Sequence, residues 1–261
     1  MIALSTVLSI LKLAEMPYGG SITVASMLPI VVAVYRHGGK WGIGTAIVAS
    51  MIQLLLGLKN FSYFTSWQSL LALGIFDYVL AFGCFSLAGI FKKAEKRQNL
   101  AMLYGALLCS ILRYVCHVIS GATIWAGLSI PTTAAFYYSL GYNATYMIPE
   151  TIVLLLTTVY VGSVIDFRRA TPTRIPTANL DKKQAYAYIL LGLSVLITLI
   201  LNVAVIFPHI QNPASGEFDI RGLQNVNVIR VIIITSIGVL ISLCSLAYAL
   251  ISRARAKKVA K

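Results

Sequence analysis

Four ionisable side chains, Asp77, Arg113, His117 and Glu150, stand inside otherwise apolar runs of this sequence. A charge at membrane depth costs about 3 kcal/mol on insertion scales, so each is a functional candidate. Arg113, His117, Gly121 and Trp125 recur at every fourth residue. On an α-helix that spacing drifts by about 40° per step, giving one slowly winding stripe. The stripe offers a cation, an imidazole, an indole and, at Gly121, room for a ligand to approach the backbone, a mixed polarity unlike a lipid-facing surface. Close helix packing at Gly121 is the alternative. Asp77 and Tyr78, in LALGIFDYVLAFG, point about 100° apart on a helix. They line two walls of one pocket, or one of them faces lipid. A structural ion pair of Asp77 with Arg113 is a further alternative. Tyr138, Ser139 and Asn143 lie together in FYYSLGYNATYMIPE. Tyr138 and Asn143 share a helical face only if the helix starts after Tyr138. Glu150, after Pro149, either neutralises Arg113 or lies near the cytoplasmic end.

No catalytic pattern accompanies these residues. The sequence has no GxxxxGK[ST] phosphate loop, no HExxH and no GxSxG. The four cysteines, Cys84, Cys109, Cys116 and Cys244, lie in apolar stretches without a CxxC pair and read as small buried hydrophobes. No metal or cofactor is expected, and the chain does not read as an enzyme. Asn143-Ala144-Thr145 matches a glycosylation sequon, but its apolar setting rejects it.

The elements that must hold these residues are membrane helices. Of 261 residues, 58% are hydrophobic and 11% charged, with a mean hydropathy of +0.83. Soluble domains carry about 25% charged residues, so an ordinary soluble enzyme is excluded. Apolar stretches run at about 1–14, 22–35, 41–57, 67–91, 100–125, 136–165, 185–207 and 227–251. A span needs roughly 20 residues. The first stretch is short, which fits a tilted or incomplete helix or a misassigned start. It has no basic n-region and no small-residue cleavage site, so no cleavable signal is expected. Trp41 and Trp67 fall at stretch boundaries, as interface anchors do.

The net charge is +13, yet 16 of the 21 basic residues fall in four short runs after the second, fourth, sixth and eighth stretches. That is the positive-inside pattern of a multi-pass protein rather than a nucleic-acid footprint. It places both termini in the cytoplasm. The segment 166–184 is polar, contains two prolines and reads as a cytoplasmic linker. The expected fold is an all-α polytopic membrane helical bundle: a six-helix core over 1–165, the linker 166–184, and a two-helix appendage over 185–261 with a basic tail. No internal repeat of the transporter type is present.

The runs MPYGGSITVASMLPI (16–30), FDYVLAFGCFSLAGIF (76–91), LRYVCHVISGATIW (112–125) and YYSLGYNATYM (137–147) carry a resemblance. In order and spacing they resemble the thiamine-specific substrate-binding (S) components of energy-coupling factor transporters, the ThiT/YuaJ family, over about residues 1–165. The resemblance implies a six-helix S-component core in a prokaryotic cell membrane. Such a subunit binds thiamine from outside and works with a transmembrane coupling subunit and two ATPase subunits. It also implies that Asp77 and Asn143 meet the aminopyrimidine, with Tyr78 beside the acid. His117 stands at the family's pocket histidine, Trp125 at its stacking tryptophan and Tyr138 at the tyrosine opening its last motif. Arg113 stands where a lysine occurs, near the hydroxyethyl end. Some members have a tryptophan in the first outer loop where this chain has Gly20; Tyr18 is the nearby aromatic that could stand in. The two C-terminal stretches lie outside the resemblance.

Thiamine's chemistry fits these residue types. A carboxylate and an amide suit the pyrimidine edge, and aromatic faces suit the thiazolium cation, worth about 0.5–2 kcal/mol each. An S component for another vitamin or a thiamine precursor, and a stand-alone secondary transporter, are the competing readings. No nucleic-acid partner is expected; the surrounding partner is membrane lipid.

Overall fold

The computed structural model describes residues 1–16, 19–126, 135–175, 182–210 and 220–259. Its contacts divide the chain into two compact units, one built on Met1–Ile175 and one on the residues beyond. It is a helical membrane bundle. Among the described residues, five helices are long and apolar enough to cross a bilayer: Trp67–Lys92, Gln98–Thr123, Ala135–Val164, Tyr186–Ile206 and Val228–Ala249.

This departs from the eight spanning stretches expected. The first becomes α1 (Ile2–Ile10), which ends where Leu11 leaves helical geometry. Its remainder forms strand β1 (Lys12–Glu15), antiparallel to β2 (Ser21–Thr23). At 1.5 Å per residue, nine helical residues reach about 14 Å, half of a hydrocarbon core. The second and third stretches become α2 (Leu28–His37) and α3 (Gly39–Leu56), parted at Gly38, whose φ is +54°. Pro29 sits in the first turn of α2, where a proline's missing N–H leaves no bond unmade.

The core of the first unit is wrapped around α2. Ile30, Val31, Val34 and Tyr35 are buried among Ala46, Ala49, Phe85, Ala106 and Leu154. A helix apolar on all sides must be enclosed, and α2 is. The span Trp67–Lys92 starts as α4 (Trp67–Leu73), widens into a π-helical segment at Gly74–Leu80, returns as α5 (Ala81–Gly83) and tightens into 3-10 turns. Beside it stand α6 (Gln98–Thr123) and α7 (Ala135–Val164). After α7, the region expected as a linker opens with a two-residue pairing of β3 (Ile165–Asp166) with β4 (Thr173–Arg174).

The second unit contains the antiparallel pair α8 (Lys182–Ile206) and α9 (Val228–Val259). Small and polar residues line their contact. Ser194 Oγ lies 2.7 Å from Ser242 Oγ, Asn202 Nδ2 donates to Thr235 Oγ1 at 3.0 Å, and Gly238 admits Thr198. That is how apolar helices associate where lipid offers no hydrophobic drive.

Candidate functional site

The first unit encloses a cavity of about 440 Å³. Its size lies within the range of small-molecule sites. Seven of the candidates read from the sequence line it: Asp77, Tyr78, Arg113, His117, Gly121, Trp125 and Asn143. Tyr138 and Ser139 stand behind the wall. Tyr138 packs against the Leu73–Tyr78–Trp125 cluster, and buried Ser139 donates to the Val118 carbonyl at 2.8 Å. Tyr18 lies outside the described residues.

The π-helical turn presents the acid. Asp77 sits midway along Gly74–Leu80, where the wider turn displaces side chains from α-helical positions. Both Asp77 and Tyr78 reach the cavity, so neither is given to lipid. One carboxylate oxygen of Asp77 lies 3.1 Å from His117 Nδ1; the other accepts from Trp125 Nε1 at 2.9 Å. The stripe on α6 is real through Gly121. The helix ends at Thr123, and Trp125 is brought in just past it, its N–H on the Ser120 carbonyl. His117 Nε2 is buried and has no partner among the described residues.

Asp77 does not pair with Arg113. Arg113 Nη1 donates to Glu150 Oε2 at 2.7 Å, with both side chains almost buried. Of the two placements left open for Glu150, this is the neutralising one. Glu150 Oε1 accepts from Thr23 Oγ1 at 2.7 Å, and the Arg113 guanidinium lies 4.6 Å above the Phe82 ring. Arg113 is therefore a compensated cation in the cavity wall. The Arg113 and Glu150 charges cancel, which leaves the Asp77 carboxylate facing the cavity beside His117.

Aromatic faces supply the other walls. Tyr78 stacks with Phe61 and Phe82 at centroid distances of 6.0 and 6.4 Å. Its hydroxyl donates to the Gly57 carbonyl and accepts from Asn60 Nδ2. A Cβ on Gly57 would lie 2.0 Å from that hydroxyl, so only glycine admits it. Trp125 meets Phe64 edge-on at 5.0 Å. Asn143 spends its amide donors on Ser139 and the His117 carbonyl, and its oxygen accepts from Tyr146. Gly20 faces the Tyr146 ring, 2.9 Å from where its Cβ would be. Tyr146 thus occupies ground that a larger residue at position 20 would contest.

At the β1 hairpin, Lys12 and Lys59 both pair with Glu15, at 2.9 and 2.8 Å. The two ammonium groups hold the Glu15 carboxyl down at about 2, and the carboxylate in turn raises Lys59.

Sequence reasoning missed Tyr142, Tyr146 and Asn60 as cavity residues, while Glu150 was already a candidate. The two tyrosines had a signal: Tyr142, Asn143, Tyr146 and Glu150 recur at helical spacing on one face of α7. Asn60 had none, because its place depends on the non-local approach of Tyr78.

Comparison with known proteins agrees with this region of the chain. The family model described as thiamine transporter protein (Thia_YuaJ) matches residues 1–166. The thiamine transporter ThiT of Bacillus subtilis (strain 168) is 32% identical over 148 residues, covering 53% of this chain and 73% of the relative. No solved structure matches.

Proposed function

This chain belongs to the thiamine transporter family, and we propose that it binds thiamine in the cavity of its first unit as the S component of an energy-coupling factor importer. The observation that carries the reading is the Asp77 carboxylate, held between His117 and Trp125 in a cavity whose other buried charges cancel. The Asp77 carboxylate among aromatic faces complements a thiazolium cation. The aminopyrimidine fits beside Asp77, where the unpartnered His117 Nε2 offers a further polar contact. Asn143 then acts mainly by fixing the wall, since its amide is already engaged.

In this reading residues 1–165 are the ligand-binding core. The α8–α9 pair is a separate membrane appendage, and 166–184 links them on the cytoplasmic side of a prokaryotic cell membrane. Energy in this reading comes from partner ATPases joined through a coupling subunit, in keeping with a chain that carries no phosphate-loop motif. Co-purification of those subunits tests that half of the proposal; uptake without any ATPase would overturn it.

Binding is tested directly by titrating ligand-free protein with thiamine and following tryptophan fluorescence. Saturable quenching at nanomolar thiamine, lost in Asp77→Ala, is the expected result. A folded protein that gives no response to thiamine would refute it.

A further inference from the structure

A second charged cluster lies in the first unit, outside the cavity, around Tyr35 at the end of α2. Tyr35 is fully buried. Lys92 Nζ sits 5.3 Å from its ring centroid and donates to the Arg36 carbonyl at 3.0 Å. Arg168 Nε donates to the Tyr35 hydroxyl at 3.0 Å, and Arg168 Nη2 donates to the Lys96 carbonyl. Arg36, the next residue, donates to the Ala170 carbonyl at 2.9 Å. All three cations are therefore gathered by neutral oxygens.

The nearby carboxylates pair with other side chains, although Asp166 Oδ1 also accepts from the Arg168 backbone N–H at 3.0 Å. Asp166 pairs with Arg169 at 3.1 Å, and Glu95 accepts from the Arg97 backbone and pairs with its side chain. Among the described residues, none of the Arg36, Lys92 and Arg168 side chains has a carboxylate partner. Lys92 and Arg168 both contact Tyr35 and Arg36 follows it in the chain, so three cations without a carboxylate partner share one neighbourhood, where an oxyanion offsets their like charge. Two planar guanidinium groups and one ammonium match a phosphate group.

We propose that Arg36, Lys92 and Arg168 form a phosphate site that takes the headgroup of an acidic membrane lipid. The lipid source follows from the border of the cluster. Ile90, in the same 3-10 turn as Lys92, is 59% exposed, giving acyl chains an apolar surface next to that cation. Basic residues at the end of a membrane span attract acidic lipid in this manner.

The test is binding of fluorescent phosphatidylglycerol to the full-length protein in detergent at physiological salt, with phosphatidylcholine as the neutral comparison. Each cation is worth about a factor of five. The triple variant Arg36→Gln/Lys92→Gln/Arg168→Gln should therefore bind phosphatidylglycerol on the order of a hundredfold more weakly. The control Lys40→Gln/Lys93→Gln/Arg174→Gln removes the same charge from exposed positions not held on Tyr35. It should lose markedly less than the first triple variant, because the headgroup is assigned to the cations held around Tyr35 and not to basic charge at large. Competition by millimolar inorganic phosphate would make the free anion a ligand of the same site; failure to compete assigns it to lipid. Equal losses in both triple variants, or no preference over phosphatidylcholine, would overturn the proposal. Should the first triple variant not fold, Lys92→Gln alone should show the fivefold loss, and wild-type affinity there would be equally fatal.

Discussion

Glu150→Gln isolates the charge logic of the cavity. Glutamine keeps the shape and an oxygen for Arg113 and Thr23, but removes the charge that compensates the guanidinium. The cavity has the volume of a sphere about 9 Å across, and a ligand cation within it is taken to stand about 7 Å from Arg113. At an effective dielectric of about 20, unit charges that far apart repel by about 2.4 kcal/mol. Thiamine affinity should fall about 50-fold. Breaking a buried pair also costs about 3–5 kcal/mol of stability, so the titration belongs at a temperature where circular dichroism shows the variant folded. Two controls separate electrostatics from damage. The uncharged aminopyrimidine should bind Glu150→Gln within about twofold of wild type, since it feels no Coulomb term. Arg113→Met/Glu150→Gln restores neutrality and should recover most of the thiamine affinity. Calorimetric titration that finds wild-type affinity in Glu150→Gln, or a double variant no better than the single one, would refute the reasoning.

Asp77→Asn should weaken thiamine binding on the order of a hundredfold, because charge-assisted hydrogen bonds are worth about 1.5–3 kcal/mol; calorimetry reads it directly. Trp125→Phe should abolish most of the ligand-induced fluorescence quenching and weaken binding about tenfold, as loss of an indole beside a cation predicts. Gly57→Ala places a methyl against the Tyr78 hydroxyl and should lower thermal stability by about 1–3 kcal/mol, with affinity falling alongside, measured by thermal unfolding with and without thiamine. The carboxyl of Glu15 is depressed to about 2, so its pairing is fully present above the ordinary carboxylate range and lost only as pH falls through about 2. Hydrogen exchange over residues 12–23 should therefore differ between wild type and Glu15→Gln at pH 7 and still at pH 4. The difference should shrink in high salt, since the pair is exposed.

How much of this was legible in the sequence depended on range. Membrane character, the helices after Trp67 and the stripe Arg113–His117–Gly121 follow from composition and spacing along single helices. The N-terminal third did not, because a hydropathy run records apolar content and not where a helix stops. Lys12–Glu15 turns into a strand only because Ser21–Thr23 pairs with it. The partner of Arg113 was open for the same reason. Both Asp77 and Glu150 were candidates, and only tertiary packing placed Glu150 at 2.7 Å and turned Asp77 to His117 and Trp125. The missed residues of α7 are of another kind: their spacing was visible, but tyrosines on an apolar helix resemble core or interface until the opposite wall is known.

The cavity is assembled where helical regularity fails, and membrane physics explains why. A regular transmembrane helix satisfies its own backbone and presents only side chains. A polar pocket needs several side chains aimed at one point, which straight helices in a bundle seldom give. Here Asp77 leaves a π-helical segment, Trp125 stands beyond the end of α6, Glu150 follows the proline inside α7, and Glu15 and Thr23 come from a hairpin. Irregular backbone is tolerated where it lines a cavity, and Asp77, Trp125, Glu150, Glu15 and Thr23 all line this one. The same irregularity makes these stretches the least self-sufficient part of the first unit, whereas α2 is locked on all sides. A ligand that bridges Asp77 to the aromatic walls would complete interactions the backbone leaves unfinished.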